Sequence, residues 1–167
     1  MKSTGMNQMS VLERRRIQGE VIEPMYKEMA DRFGHEQAAS ILEQAIRKSA
    51  IAEARRFKDA SDPNQSVMER FIGLYELWKM DGALDMEVLQ ESETRFDFNV
   101  RRCRYAEMYR EMGLAEIRYL QSCNGDGSFC ERFDPGLKLE RRLTLMLGDD
   151  CCTFRYRLEP AESEVQD

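Results

Sequence analysis

The chain is predicted to be an α+β protein, an N-terminal helical layer packed on a small antiparallel β-sheet formed by the C-terminal half. Two observations carry this. Up to about residue 87 apolar residues recur every three or four positions; beyond it, three stretches alternate apolar and polar residues with the two-residue period of a half-buried strand. Clusters of Gly, Asn, Asp and Pro separate the segments. A chain of 167 residues suits one domain, expected over 1–160 with a helical part (1–90) and a sheet-containing part (91–160), followed by a frayed acidic tail over 161–167.

In the first helical segment Ile17, Val21, Met25, Met29 and Phe33 repeat every four residues, and Pro24 is expected to kink or restart it. Gly34 ends this helix, and His35 beside it reads as a cap. A second helix carries Ala38, Ile41, Leu42, Ala45, Ile46 and Ser49, runs to about Phe57 and breaks at Ser61-Asp62-Pro63-Asn64. Ser66 and Glu69 have the spacing of a capping box before a third helix with Phe71, Leu74, Tyr75 and Trp78 as its apolar stripe. At helical spacing these Met and aromatic positions are expected to be core rather than ligand contacts.

Thr94, Phe96, Phe98 and Val100 then alternate with polar residues as a strand, and Tyr105 to Met112 and Leu114 to Leu120 read as short helices. Asn124-Gly125-Asp126-Gly127 reads as a turn. Alternation over Arg141 to Leu147 and over Cys152 to Leu158, joined by Gly148-Asp149-Asp150, predicts a β-hairpin.

A net charge of −6 argues against non-specific duplex binding, which needs a basic face to displace counterions. The polar N-terminus leading into Arg14-Arg15-Arg16 shows no secretory signal, and no apolar run has the length of a membrane span. A cytoplasmic protein with neither nucleic-acid nor membrane partners is expected, its five cysteines reduced. No cysteine pair has zinc-ligand spacing and His35 is the only histidine, so neither a metal nor a cofactor is expected.

Chemistry concentrates near the C-terminus, where four cysteines fall between positions 123 and 152 among aspartates, arginines and a lysine. Cys152, at the start of a strand, is the candidate nucleophile, with Lys138, Arg141 and Arg155 as cations able to lower its pKa; a buried packing thiol is the bland alternative. With no histidine nearby, Asp126 between two glycines is the candidate proton carrier, with a plain turn aspartate as its own bland reading.

Five ordered motifs lie between Asn99 and Tyr156: Asn99-Val100-x-x-Cys103-Arg104-Tyr105-Ala106-Glu107-Met108-Tyr109, Cys123-Asn124-x-Asp126, Phe133-x-Pro135-x-x-Lys138-Leu139-x-Arg141, Thr144-Leu145-Met146-x-Gly148 and Cys152-x-Phe154-Arg155-Tyr156. Together they resemble the family of L-2-amino-thiazoline-4-carboxylic acid hydrolases. The family pattern has an aspartate after the last cysteine, where this chain has Thr153. The resemblance implies hydrolysis of a carbon–nitrogen bond in a small cyclic amidine bearing a carboxylate. Cys152 would attack the ring carbon and Asp126 would move protons. Lys138 or Arg155 would pair with the carboxylate, and Cys123, Asn124 and Arg141 would complete the substrate contacts. Two alternatives stay open: direct attack by a water activated at Asp126, and a non-catalytic small-molecule-binding or redox-sensing module that uses the same cysteines. An apolar helix face is compatible with a homo-oligomer.

Overall fold

The computed structural model describes residues 9–160; the start of the polar N-terminus, residues 1–8, and the acidic tail over 161–167 lie outside them. Three long helices come first: α1 (Val11–Phe33), α2 (His35–Ala60) and α3 (Val67–Lys79). Four strands follow, β1 (Leu84–Glu91), β2 (Arg95–Cys103), β3 (Leu137–Glu140) and β4 (Cys152–Leu158), with α4 (Arg104–Glu111), α5 (Arg118–Gln121) and α6 (Asp126–Phe133) between β2 and β3. The strands form one antiparallel sheet in the order β1-β2-β4-β3. No described helix is long and apolar enough to cross a membrane.

Local chemistry sets the helix ends. Ser66 accepts from the Glu69 amide while the Glu69 carboxylate accepts from the Ser66 amide, the reciprocal capping box expected at the start of α3. Gly34, at φ 85, separates α1 from α2 and places His35 at the first position of α2, where its Nδ1 lies 3.1 Å from Glu116. Pro24 does not restart the first helix: α1 continues through it with Pro24 exposed, so the bond its missing amide cannot make is lost on the solvent side.

The four-residue stripe of α1 is not the core face. Ile17, Val21, Met25 and Phe33 are exposed and Met29 is half-buried, whereas Val11, Gly19, Tyr26 and Ala30 are buried. Four residues advance about 40° beyond a full turn, so the four steps of this strict four-residue repeat wander around the cylinder rather than follow one face. Gly19 allows the close approach instead: a Cβ there would stand 2.9 Å from the Met112 side chain.

On the sheet, Phe96, Phe98 and Val100 of β2 face the helices opposite Tyr156, Phe154 and Cys152 of β4. Phe98 and Phe154 stack at 4.8 Å between ring centroids. Because Phe98 is fully buried at the centre of this layer, Phe98→Ala should cost about 3–5 kcal/mol, read as a lowered midpoint in urea denaturation.

The predicted hairpin is corrected. The strand that precedes β4 in the chain and pairs with it on the side away from β2 is β3, one segment earlier than predicted, and residues 141–151 form an irregular excursion with a turn over Thr144 to Leu147. Leu143 and Leu147 are exposed, so their alternation with Thr144 and Met146 reports one buried side of a loop rather than a strand. Thr153 Oγ1 accepts from the amides of Arg142 and Leu143 at 3.2 and 3.1 Å, taking up donors that a ladder would have used. Asn124-Gly125-Asp126-Gly127 is likewise not a turn: Cys123–Gly125 is a 3-10 segment and Asp126 opens α6.

Candidate functional site

Between the helices and the inner face of the sheet lies a cavity of about 110 Å³. Cavities on the order of 150 Å³ accept one benzene ring, so this one suits a single small ring. Its apolar wall comes from Phe71, Tyr75 and Trp78 of α3, Val100 of β2, Phe154 and Tyr156 of β4, and Phe129 of α6. The aromatic stripe of α3, expected to be packing alone, is therefore also the side of a ligand-sized space. Glu53 of α2, Arg15 of α1, Tyr105 of α4, and Gln121, Ser122, Cys123 and Asp126 contribute its polar atoms.

Cys152 and Asp126 both line this cavity, as do Cys103, Cys123 and Cys130. Cys152 is buried at the first position of β4; its Sγ accepts from the Leu145 amide at 3.3 Å and lies 3.7 Å from Thr144 Oγ1. Burial pushes its pKa up, against the lowering influence of these donors and of Arg141. Cys103 is pushed to about 11, and Cys123 and Cys130 rise by burial with the Asp126 charge adding to the effect. The thiol at Cys152 is thus neutral at physiological pH, not the low-pKa thiolate of an electropositive site.

Asp126 opens α6 where Gly125 meets α2 so closely that a Cβ would stand 2.9 Å from Ala50. Its Oδ2 accepts from Arg141 Nη1 at 2.5 Å, and Arg141 Nη2 donates to the Cys123 carbonyl at 2.9 Å. The Arg141 guanidinium also lies over the Phe154 ring at 5.1 Å. About a third of the Asp126 side chain is accessible, and that surface looks into the cavity among protein atoms. Burial therefore raises its pKa, and the opposing Arg141 charge and hydrogen bond do not cancel the rise.

A carboxyl group with a raised folded-state pKa contributes stability below the ordinary value near 3.8 and loses it as pH climbs through the folded value. The titration of the Asp126 carboxyl carbon followed by NMR should accordingly have its midpoint above 3.8, and a midpoint at or below that value would contradict this electrostatic reading.

The remaining positions fall elsewhere. Lys138 is exposed on β3 beside Arg157 of β4 and does not line the cavity. Arg155 lies on the opposite face of β4 from Cys152 and Phe154, donating to the carbonyls of Phe98 and Phe154 and to Asn99 Oδ1 at 2.8, 2.8 and 2.9 Å. Asn124 donates to the Glu43 carbonyl at 3.3 Å and ties the 3-10 segment to α2. Cys123 is at the cavity, with Thr144 Oγ1 3.8 Å from its sulfur. Arg141 supports the cavity from behind Asp126. Thr153, the position that departs from the family pattern, faces away and pins residues 142 and 143 as an acceptor, a task an aspartate there would also perform.

Two features went unread in the sequence. The hydroxyls of Tyr75 and Tyr156 are 2.5 Å apart, and burial holds both phenols well above their ordinary pKa; two hydroxyl hydrogens share one bond, leaving one for a ligand acceptor. Gln121 lines the cavity at 3% exposure, and neither of its amide atoms has a hydrogen-bond partner among the described residues. Lone polar residues in helical stretches carry no periodic signal, so only the assembled site reveals them.

The fold and site define a small α+β domain built around a ring-sized cavity lined by thiols and a carboxyl group. The chain belongs to the L-2-amino-thiazoline-4-carboxylic acid hydrolase family, whose model matches residues 14–156. No curated protein matches it. Among solved structures it is similar in fold to the phenol-responsive sensory domain of the transcription activator PoxR, crystallised with phenol, at a TM-score of 0.56 and 14% identity over 93% of this chain and 84% of that one.

Proposed function

We propose that this protein hydrolyses a carbon–nitrogen bond in a small cyclic amidine or amide, of the kind represented by 2-amino-thiazoline-4-carboxylate, through Cys152. The observation that carries the reading is the opening of the Cys152 thiol and the Asp126 carboxyl onto one ring-sized cavity in a member of a hydrolase family. The reading extends to a reduced, cytoplasmic protein that needs no metal or cofactor; a homo-oligomer is compatible with it.

The neutral thiol dictates the order of proton movements. As Sγ bonds to the electrophilic ring carbon, the S–H proton passes through Asp126 to the ring nitrogen while the C=N π pair moves onto that nitrogen. Collapse of the adduct breaks the ring C–N bond as the lone pair of the exocyclic amino nitrogen forms a C=N bond; one proton of that amino group passes to the departing ring nitrogen, which leaves as a neutral amine. A water then attacks the carbon held on sulfur, gives a proton to Asp126, and the C–S bond breaks as the thiol is restored. The free phenolic hydrogen of the tyrosine pair would stabilise the charge that develops on a carbonyl oxygen. A ring carboxylate would compete with Asp126 for Arg141, the cation that stands immediately behind the cavity wall.

One observation favours a second reading, a binding module: burial raises the Cys152 pKa instead of lowering it. The test is turnover. Incubation with L-2-amino-thiazoline-4-carboxylate and a panel of hydantoins, followed by mass spectrometry, should reveal ring-opened product. Binding of a panel member with no product from any would discard the hydrolase reading in favour of the module.

A further inference from the structure

We infer that Gln121 is the recognition residue of the cavity, and that it reads an uncharged single ring presenting an N–H beside a C=O on one edge, as a cyclic cis-amide does. The inference rests on the proposal that the cavity is the substrate site, and it narrows the substrate class.

Gln121 closes α5. Among the described residues it alone leaves both a buried side-chain donor and a buried side-chain acceptor without a partner; the other buried orphans are the Nε atoms of three arginines and one oxygen of Asp97. Leaving such groups unpaired is costly, so the arrangement calls for something that supplies an acceptor and a donor together. A carboxamide offers its oxygen and its NH₂ side by side. A ring whose N–H and C=O lie cis to one another meets both at once through two parallel hydrogen bonds. A carboxylate or a lone ketone satisfies only the NH₂.

The charges of the wall point the same way. Arg15 gives Nη1 to Gln18 and Nη2 to Glu53. Arg141 gives Nη1 to Asp126 and Nη2 to the Cys123 carbonyl. Both guanidinium groups have their terminal nitrogens engaged, and Lys138 and Arg155 do not line the cavity. An anionic ligand would have to break an existing ion pair, whereas a neutral cyclic amide would not.

The experiment measures binding, independent of turnover, by calorimetry on the parent chain and on Gln121→Leu and Gln121→Glu. The probes are hydantoin, which has the paired edge, and cyclopentanone, which has the acceptor alone. Hydantoin should bind the parent more tightly than cyclopentanone. Gln121→Leu should weaken hydantoin about tenfold or more, as expected for losing two hydrogen bonds, and leave cyclopentanone little changed or improved. Gln121→Glu keeps an acceptor for the N–H but loses the donor, and should also bind hydantoin less tightly than the parent. Gln121→Leu should not lower Tm, because an apolar group replaces an amide that has no partner among the described residues. Hydantoin affinity unchanged in Gln121→Leu, no hydantoin binding by the parent, or a marked fall in Tm showing that the amide has a structural role would each overturn the inference. Hydantoin binding that depends on Gln121, but with no ring opening, would uphold it and sink the hydrolase reading alone.

Discussion

Cys152→Ser should reduce ring-opening turnover by at least about a thousandfold while leaving the cooperative unfolding transition in place. Serine fills nearly the same volume, and its hydroxyl can keep the contacts to the Leu145 amide and Thr144. What it lacks is a polarisable nucleophile with a proton acidic enough for Asp126 to remove, and no histidine lines the cavity to replace that acidity. Cys130→Ser is the informative control. Cys130 also lines the cavity and is buried in α6, but it lies outside the motifs shared with the hydrolase family, so most activity should survive. Intact-mass spectrometry of the parent mixed with substrate should show a covalent adduct that Cys152→Ser does not form. Full turnover by Cys152→Ser would eliminate the covalent route and leave water activated at Asp126.

Arg141→Met should destabilise the protein by about 2–4 kcal/mol at pH 7, because it strands the Asp126 carboxylate beside the cavity with no partner. The figure sits toward the lower part of the range for broken buried pairs, since a third of Asp126 remains accessible. The double variant Arg141→Met with Asp126→Asn should recover most of the loss, and urea denaturation of all four forms gives the coupling energy. The pH dependence has a fixed sign. Lowering the pH protonates the stranded Asp126, so the cost of Arg141→Met should shrink as the solution becomes acidic. Equal stability of Arg141→Met and the parent at neutral pH would show that the pair positions nothing.

Much of the α+β layout was legible because α3, β2 and β4 declare their buried faces through their periods, although the repeat read in α1 did not mark its core face. The Ser66–Glu69 box marks the start of α3 by spacing alone, and the strict alternation in β2 and β4 leaves one register that buries Phe96, Phe98, Cys152 and Tyr156 together. β1 escaped notice because it is an edge strand, largely exposed on both faces, so burial imposes no alternation on it. β3 was misplaced by one segment, since alternating leucines at 143, 145 and 147 look the same whether they cover a core from a strand or from a loop.

The sequence by itself determined the two layers, the capping chemistry and the crowding of thiols and carboxyl groups near the C-terminus, all of which follow from local period and composition. Only the tertiary structure decided which of those groups share a space. Sheet register turns Arg155 away from the cavity and leaves Cys152 facing it; the close approach of Gly125 to α2 sets Asp126 at the cavity wall with Arg141 behind. Whether Phe71, Tyr75 and Trp78 meet a filled core or border a gap depends on side chains contributed by α2, α6 and β4, residues far away in the chain. Periodicity reports that a face is buried, not whether what lies opposite fills it, and a cavity is the place where it does not.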